Sequence, residues 1–444
     1  KKLPASTYIE FDLLKKDLSE PKKYWNIMEL ALNKFKNRHL GNHNDLIEIL
    51  DEKIKESVRL RMISDVPIGA FLSGGVDSSC IAAQMQSISD KPINTFTIGF
   101  NIDSYNEAEH AKKVAKYLGT NHVEHYVSPE ETLNTIPYLQ NAWDEPFADS
   151  SQIPTLLISQ ITKKYVSVVL SGDGGDELFC GYNRYNSGYK LFKQISKLPP
   201  YLRDKISSLL NIIPTQLIDD FFSEKNGFSK YSDPGNKFEK ISKIMQENDD
   251  FSYYKNLVSI NNNPSKFLLS GKEPETILSN FDIWPKTESF QEVMMLMDMS
   301  TYLQDDILVK IDRGSMFSSL ETRAPFLDHK LIEWSLGLPK NLKFSKIESK
   351  VALRKVLYKY IPKKLIERPK MGFGIPIDMW LKKELRVWAE DLLSESNLQS
   401  NAIFNVKAVR SMWKDHLEGK KQNQHKLWAI INFLEWNKQW QNNR

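Results

Sequence analysis

The sequence predicts an α/β fold in which a parallel sheet forms the core and helical regions are added to it. Two observations support this prediction. Apolar stretches of strand length alternate with amphipathic stretches of helix length in the first half of the chain, a pattern typical of parallel strands covered on both faces. Glycine-rich clusters follow two of the apolar stretches, and ligands of such sheets bind beyond the carboxyl ends of the strands.

The alternation begins at residue 66 and ends at residue 170. The predicted elements are strand 66–72, helix 78–85, strand 93–100, helix 106–118, strand 123–127, helices near 130–140 and 153–164, and strand 166–170. Residues 13–64 carry apolar side chains at helical spacing, which predicts amphipathic helices. Residues 3–12 alternate in polarity, which favours a short strand.

Length and composition predict several lobes. A chain of 444 residues exceeds the roughly 100 to 200 residues of a usual domain. We predict that the core covers residues 46–190 and follows a leading segment, residues 1–45. Residues 191–295, rich in lysine, asparagine and serine, are predicted to be a helical insert, and residues 296–444 a helical C-terminal part.

The charge balance and cysteine usage exclude some classes of function. Sixty basic against 56 acidic residues give a formal charge of +4, which offers no electrostatic basis for a nucleic-acid binder. No apolar run approaches the roughly 20 residues that span a bilayer. Cys80 and Cys180 have no metal-binding spacing and form no disulfide framework. We therefore expect a cytoplasmic protein that binds neither nucleic acid nor membranes.

The first glycine-rich cluster lies between a predicted strand and a predicted helix. Its sequence is Ser73-Gly74-Gly75-Val76-Asp77-Ser78. Small residues at this position let backbone amides and hydroxyls converge on an anion at the helix N-terminus, which predicts a phosphate cradle. The lysine of a Walker A loop is missing, so we expect the loop to hold leaving pyrophosphate rather than to transfer a γ-phosphoryl group. Asp77 is a candidate Mg²⁺ ligand.

The second cluster also follows a predicted strand. Its sequence is Ser171-Gly172-Asp173-Gly174-Gly175-Asp176-Glu177. Three carboxylates within five residues repel one another unless a metal or another cation compensates them, which favours a functional role over a structural one.

These clusters carry a family resemblance. Taken alone, the first resembles the PP-loop ATP pyrophosphatases. The second, continued by Leu178-Phe179-Cys180-Gly181-Tyr182, closely resembles the asparagine synthetase signature, with Cys180 where a glycine is usual. The resemblance continues in five further segments, at residues 144–150, 312–316, 321–328, 349–354 and 368–374. It implies a PP-loop core like that of the adenine nucleotide alpha hydrolases.

The resemblance also implies where the nucleotide binds. Backbone groups near Leu72 and Ile98 would receive the adenine, and Ser171 and Gly172 would lie against the ribose and the α-phosphate. The residues that would bind the phosphates and Mg²⁺ are Ser73, Gly74, Gly75, Asp77, Ser78, Asp176 and Lys370, with Asp77 and Asp176 as the metal ligands.

Catalytic roles follow from the same resemblance. Asp173 stands where several members have a glutamate tied to forming the acyl-adenylate, and Asp176 and Glu177 complete the acidic set. Lys350 matches a lysine that faces the reacting phosphate, where a fixed cation stabilises charge in the transition state. Arg323, like Lys370, could equally stabilise the fold through an ion pair.

The implied reaction is ATP-dependent amide synthesis through an acyl-adenylate, with aspartate converted to asparagine. Glutamine-dependent relatives hydrolyse glutamine with an N-terminal cysteine, whereas position 1 here is lysine. Because residues 3–12 resemble the last strand of that glutaminase domain, we expect this sequence to be the synthetase part of a longer protein and to use ammonia itself. A homodimer is possible.

Other functions remain open from the sequence. The same chemistry could amidate a sugar acid or a peptide, or close a β-lactam or a macrocycle. A tRNA-modifying PP-loop enzyme is the alternative from another class. A catalytically inactive nucleotide-binding subunit is a third.

Overall fold

The computed structural model describes residues 2–100, 106–222, 234–287, 289–345, 347–367 and 375–441. Its strands in chain order are β1 (Thr7–Tyr8), β2 (Phe11–Asp12), β3 (Asp17–Leu18), β4 (Lys22–Lys23), β5 (Ile68–Phe71), β6 (Asn94–Phe100), β7 (Asn121–Val127), β8 (Val168–Leu170) and β9 (Glu321–Arg323). The last five form one sheet in the order β7-β6-β5-β8-β9, and every neighbouring pair is parallel. The predicted α/β fold with a parallel sheet is therefore confirmed.

Helices surround this sheet and make up most of the remaining chain. Up to residue 195 they are Ile27–Lys36, His43–Arg61, Val76–Ile88, Ala108–Leu118, Pro129–Ala142, Gln152–Lys163, Gly175–Phe179 and Tyr189–Ile195. In the predicted insert they are Pro200–Ile212, Thr215–Phe221, Pro234–Met245, Asp250–Val258 and the start of Phe290–Ser300. Beyond it they are Leu308–Phe317, His329–Leu336, Lys340–Lys343, Val351–Leu357, Lys363–Ile366, Ile377–Lys382, Arg386–Leu392, Glu395–Asn401, Val406–Leu417 and Gln424–Gln441.

Local sequence explains where several of these helices begin. The helix Pro129–Ala142 starts with a capping box, in which the Ser128 side chain accepts from the Glu131 amide and the Glu131 side chain accepts from the Ser128 amide. Asp328 caps the helix His329–Leu336 in a similar way, by accepting from two backbone amides. The helix Val76–Ile88 differs, because it begins after Gly75 without a hydrogen bond from a capping side chain in this described segment.

The N-terminal part departs from the prediction. Residues 3–12 do not form one strand, since β1 pairs with β4 and β2 pairs with β3 in two small antiparallel sheets. Helical structure within 13–64 begins only at Ile27, so the helical prediction is wrong for residues 13–26. Leu13, Leu14 and Tyr24 are exposed, and they therefore gain none of the packing that stabilises an amphipathic helix.

A fifth strand was not predicted. β9 contains only Glu321, Thr322 and Arg323, and none of them is apolar. It pairs with β8, and the ladder continues where the Ser171 amide donates to the Arg323 carbonyl at 2.8 Å. Backbone pairing at a sheet edge therefore defines this strand, and side-chain alternation gave no signal for it.

The sheet order determines where the two glycine-rich loops meet. β5 and β8 are adjacent and parallel, so the loops that follow them leave the same edge of the sheet side by side. Among the residues that the structure describes, no helix is both long and apolar enough to cross a membrane.

Candidate active site

A cavity of about 630 Å³ opens at the carboxyl ends of β5, β6 and β8. Most of the residues predicted for the site line it: Leu72, Ser73, Gly75, Asp77, Ser78, Ile98, Ser171, Gly172, Asp173, Asp176, Glu177 and Lys350. Gly74 does not line it. Lys370 lies outside the described residues. The structure thus brings together two loops and a lysine that are far apart in the sequence.

The first loop is shaped by its own hydroxyl groups. The Ser73 amide donates to Ser78 Oγ at 3.1 Å, the two serine hydroxyls are 3.0 Å apart, and the Gly75 amide donates to Ser73 Oγ at 3.3 Å. Gly74 has a φ of +73°, and a Cβ there would lie 2.8 Å from the Ala111 nitrogen. The resulting turn leads into a helix N-terminus without a side-chain cap, which is a suitable place for an anion.

Glycines let the second loop lie directly against the first. A Cβ on Gly172 would lie 2.8 Å from the Ser78 amide nitrogen, and one on Gly175 would lie 2.5 Å from Asp77 Oδ1. Any side chain at these two positions would push the loops apart. The spacing of glycines in the second cluster is therefore required by the close approach of the loops.

Lys350 joins the two loops electrostatically. Its Nζ lies 2.6 Å from Asp176 Oδ1 and also forms an ion pair and hydrogen bond with Asp77 Oδ2. The residue is only 4% exposed. Burial acts to lower the pKa of Lys350, but Asp176 and Asp77 outweigh it and raise the pKa above its usual value. A permanent cation therefore lies between the two predicted metal ligands.

The backbone around this ion pair is also constrained. Lys350 adopts a left-handed conformation with a φ of +57°, and its amide donates to the Phe179 carbonyl at 3.1 Å. Cys180, also left-handed at +60°, is the position where a glycine is usual in the resembling family. At Gly181 a Cβ would collide with Asp176 Oδ1 and Lys350 Cε.

The other two acidic residues have different surroundings. Burial raises the pKa of Asp173, while the Ser171 hydroxyl and Lys310 act in the opposite direction. Burial, followed by the charge of Asp176, raises the pKa of Glu177 to about 8, although Tyr182 donates a hydrogen bond to it at 2.8 Å. Glu177 is 1% exposed. It is therefore a protonatable carboxyl group behind Asp176.

The arrangement fits a magnesium ion held together with phosphate. No group of three or more potential metal-ligand side chains occurs in the described part of the chain. Asp77 and Asp176 nevertheless lie close together, because both pair with the ammonium group of Lys350. Mg²⁺ at nucleotide sites is usually bound by one or two carboxylates, with phosphate oxygens and water completing the shell. The two aspartates supply that number.

Sequence reasoning missed a second ion pair in the cavity wall. Lys310 Nζ lies 2.6 Å from Asp149 Oδ2, and both residues line the cavity together with Tyr302. Asp149 lies in one of the segments that carry the family resemblance, at 144–150, which was a usable signal. Lys310 lies two residues before another such segment, at 312–316.

Arg323 lies outside the cavity. Its guanidinium donates to the carbonyls of Arg61 and Ile63 at 2.8 and 2.7 Å and pairs with Glu321. These contacts join β9 to the end of the helix His43–Arg61. The structure therefore supports the fold-stabilising alternative for Arg323.

Comparison with known proteins identifies the family of this chain. The family model described as asparagine synthase matches residues 50–438. Asparagine synthetase [glutamine-hydrolyzing] 1 of Bacillus subtilis is 32% identical over 397 residues, which cover 88% of this chain and 59% of that protein. A putative asparagine synthetase [glutamine-hydrolyzing] of Mycobacterium tuberculosis is 31% identical over 86% of this chain and 56% of its own length.

A match over a shorter stretch has a higher sequence identity. A putative asparagine synthetase [glutamine-hydrolyzing] 2 of Methanocaldococcus jannaschii is 38% identical over 203 residues, or 46% of this chain and 38% of that protein. The chain thus spans less than two thirds of the length of each of these relatives. Because the family model covers nearly the whole chain, including both glycine-rich loops and Lys350, the chain belongs to the asparagine synthase family.

Proposed function

We propose that this chain uses ATP to convert the side-chain carboxylate of aspartate into an amide through an acyl-adenylate. The observation that carries the proposal is the Lys350 cation, held between Asp77 and Asp176 beside an uncapped helix N-terminus. Such a site suits polyphosphate and the charge that develops when pyrophosphate leaves. The named relatives are asparagine synthetases, which supports the choice of aspartate.

In the first step, a carboxylate oxygen of the substrate attacks the α-phosphorus of ATP. The bond from that phosphorus to the bridging oxygen breaks, and its electron pair leaves with pyrophosphate. Backbone amides at the start of the helix Val76–Ile88 hold the departing phosphates, and Lys350 stabilises their growing charge. Asp77 and Asp176 would hold Mg²⁺, which supplies further neutralisation of phosphate charge.

In the second step, ammonia attacks the acyl carbon, the bond from carbon to the AMP oxygen breaks, and the nitrogen loses a proton. Both cysteines of this sequence, Cys80 and Cys180, are buried, and burial raises the pKa of each thiol. Neither is suited to attack glutamine, because the thiolate is the nucleophile. We therefore propose that this chain uses free ammonia, and that glutamine hydrolysis needs a domain outside this sequence.

Pyrophosphate release tests the reaction. The chain is incubated with ATP, Mg²⁺ and ammonium, with and without aspartate, and AMP and pyrophosphate are measured. Aspartate should be required, and the two products should appear in equal amounts. Formation of ADP and phosphate would contradict the acyl-adenylate, and activity with a sugar acid but not with aspartate would contradict the choice of substrate.

A parallel reaction tests the nitrogen source. Glutamine replaces ammonium, and glutamate is followed together with AMP. We expect no glutamate and no amide with glutamine, and with ammonium a rate that rises with pH as more free NH₃ forms. Glutamate that appears in step with AMP would contradict ammonia-only use.

A further inference from the structure

A second lysine lies in the wall of the same cavity, away from the carboxylates that hold Lys350. Lys310 forms its ion pair with Asp149 at 2.6 Å, and their side chains are only 12% and 20% exposed. Asp149 is fixed by a further bond, because its Oδ1 accepts from the Ser151 amide at 2.9 Å. The pair therefore presents one cation and one anion side by side at fixed positions in the cavity.

The pair also lies near the proposed reaction centre. Lys310 interacts electrostatically with Asp173, and both residues line the cavity. Behind the pair lies Asp306, whose Oδ1 is buried and has no hydrogen-bond partner among the residues that the structure describes. A buried ion pair is costly to maintain for stability alone, since apolar residues of similar size often stabilise a fold as well.

We propose that Lys310 and Asp149 bind the amino-acid head group of the substrate. Lys310 receives the α-carboxylate and Asp149 receives the α-ammonium, which leaves the side-chain carboxylate free to reach ATP. This inference rests on the proposed function and adds to it the two residues that would select an α-amino dicarboxylic acid over a simple carboxylic acid. A neighbouring cation and anion match the two charges of such a head group, whereas a sugar acid has no ammonium for Asp149.

Two analogues separate the two contacts. Succinate lacks the α-ammonium of aspartate, and 3-aminopropanoate lacks the α-carboxylate, while both retain the reacting carboxylate. Pyrophosphate release with ATP and ammonium gives kcat/KM for all three substrates. The wild-type chain should prefer aspartate over both analogues.

Each substitution should remove one preference. Lys310→Met should reduce the preference for aspartate over 3-aminopropanoate by about 10- to 100-fold, since a charged hydrogen bond is lost. It should leave the preference over succinate largely unchanged. Asp149→Asn should reduce the preference for aspartate over succinate by a similar factor and leave the preference over 3-aminopropanoate largely unchanged. In both variants the KM for ATP should stay within about threefold of the wild-type value, because the proposed nucleotide contacts are intact.

Two additional variants control for damage to the fold. Lys310→Met combined with Asp149→Asn removes both charges, so neither is left unpaired, and it should lose both preferences. Lys382→Met removes the lysine of a partly buried pair with Asp378 outside the cavity lining, at 2.9 Å, and should change neither preference.

Failure of this inference differs from failure of the proposed function. If the wild type uses aspartate but Lys310→Met lowers kcat/KM equally for all three substrates, the head-group assignment is wrong and the amide synthesis stands. If the wild type releases pyrophosphate with succinate or a sugar acid and not with aspartate, the proposed substrate and this assignment both fail.

Discussion

Two lysines face one cavity, and the protein holds them in different ways. Lys350 stands at the start of a helix in a left-handed conformation and pairs with carboxylates from both glycine-rich loops. Lys310 lies within the helix Leu308–Phe317 and pairs with the single carboxylate of Asp149, behind which lies Asp306. The first lysine depends on loops at strand ends, and the second depends on the packing of a helix against a neighbouring segment.

This difference suggests a division of labour. The carboxylates that pair with Lys350 are also the proposed ligands of Mg²⁺. This region is therefore suited to binding the negatively charged phosphates of ATP. The Lys310 pair consists of one cation and one anion that face the cavity without a glycine-rich loop beside them, so it is suited to a small organic ion. Perturbing each lysine should therefore affect different kinetic constants.

The largest effect is expected for Lys350→Ala. Removing the cation should lower kcat for pyrophosphate release by about 10²- to 10³-fold, as for other groups that stabilise developing charge. The KM for ATP should rise much less, because the charge acts mainly in the transition state. Steady-state kinetics of pyrophosphate release measure both constants.

Lys355→Ala is the matched control for this variant. Lys355 is exposed on the same short helix, Val351–Leu357, and should keep wild-type kinetics. An effect of Lys350→Ala confined to the KM for ATP would reassign Lys350 to ground-state binding and remove the contrast between the two lysines.

A smaller effect is expected for Gly181→Ala, which leaves every charge in place. The new Cβ would collide with Asp176 Oδ1 and Lys350 Cε, so the ion pair must shift. Misplacement of catalytic groups by about 1 Å can cost on the order of 10²-fold, and we expect a loss of about 10- to 100-fold in kcat. The ratio of kcat/KM for aspartate to that for succinate should not change, because Lys310 and Asp149 are unaffected. A changed ratio would show that the two regions are coupled.

The difference between the two lysines also explains how much of the fold and of the site could be predicted from the sequence. The sheet from residue 66 to residue 170 and both loops were predictable because their residues are contiguous and follow apolar strands. Lys350 was found through the family resemblance, since nothing near it in sequence indicates Asp77 or Asp176 as partners. The roles assigned to these residues stay predictions.

Lys310 could not be predicted from local pattern. It follows a π-helical turn, Leu303–Ile307, which shifts the register of the helix. A spacing of 3.6 residues therefore does not predict which side chains of this helix face the cavity. Its partner Asp149 is far away in sequence. β9 escaped prediction for a similar reason, because tertiary pairing alone defines it.

The smallest effect concerns stability, and it tests whether Asp306, behind Lys310, holds a proton in the folded chain. Burial, followed by the charge of Asp149, raises the pKa of Asp306 to about 7, and Lys310 acts in the opposite direction. Burial also acts to raise the pKa of Asp149, but Lys310 and Ser151 outweigh it and lower that pKa to about 2. Tyr302, the other titratable group that interacts with both aspartates, has a raised pKa and stays neutral.

The sign of the pH dependence follows from the raised pKa of Asp306. Between about pH 4 and about pH 7 the folded chain retains a proton that an unfolded aspartate has lost, so the contribution of Asp306 to stability falls as pH rises through this window. An asparagine side chain cannot titrate, so the Asp306→Asn variant should lose this dependence. Relative to the wild type, its free energy of unfolding should gain about 2 to 3 kcal/mol between about pH 5 and about pH 8, or about 2 to 3 °C in Tm for a chain of this length. Thermal melts of both proteins at the two pH values measure that difference. An equal Tm difference at both would mean that Asp306 is ionised throughout, and the cavity wall at Lys310 would then carry a net negative charge instead of a balanced pair.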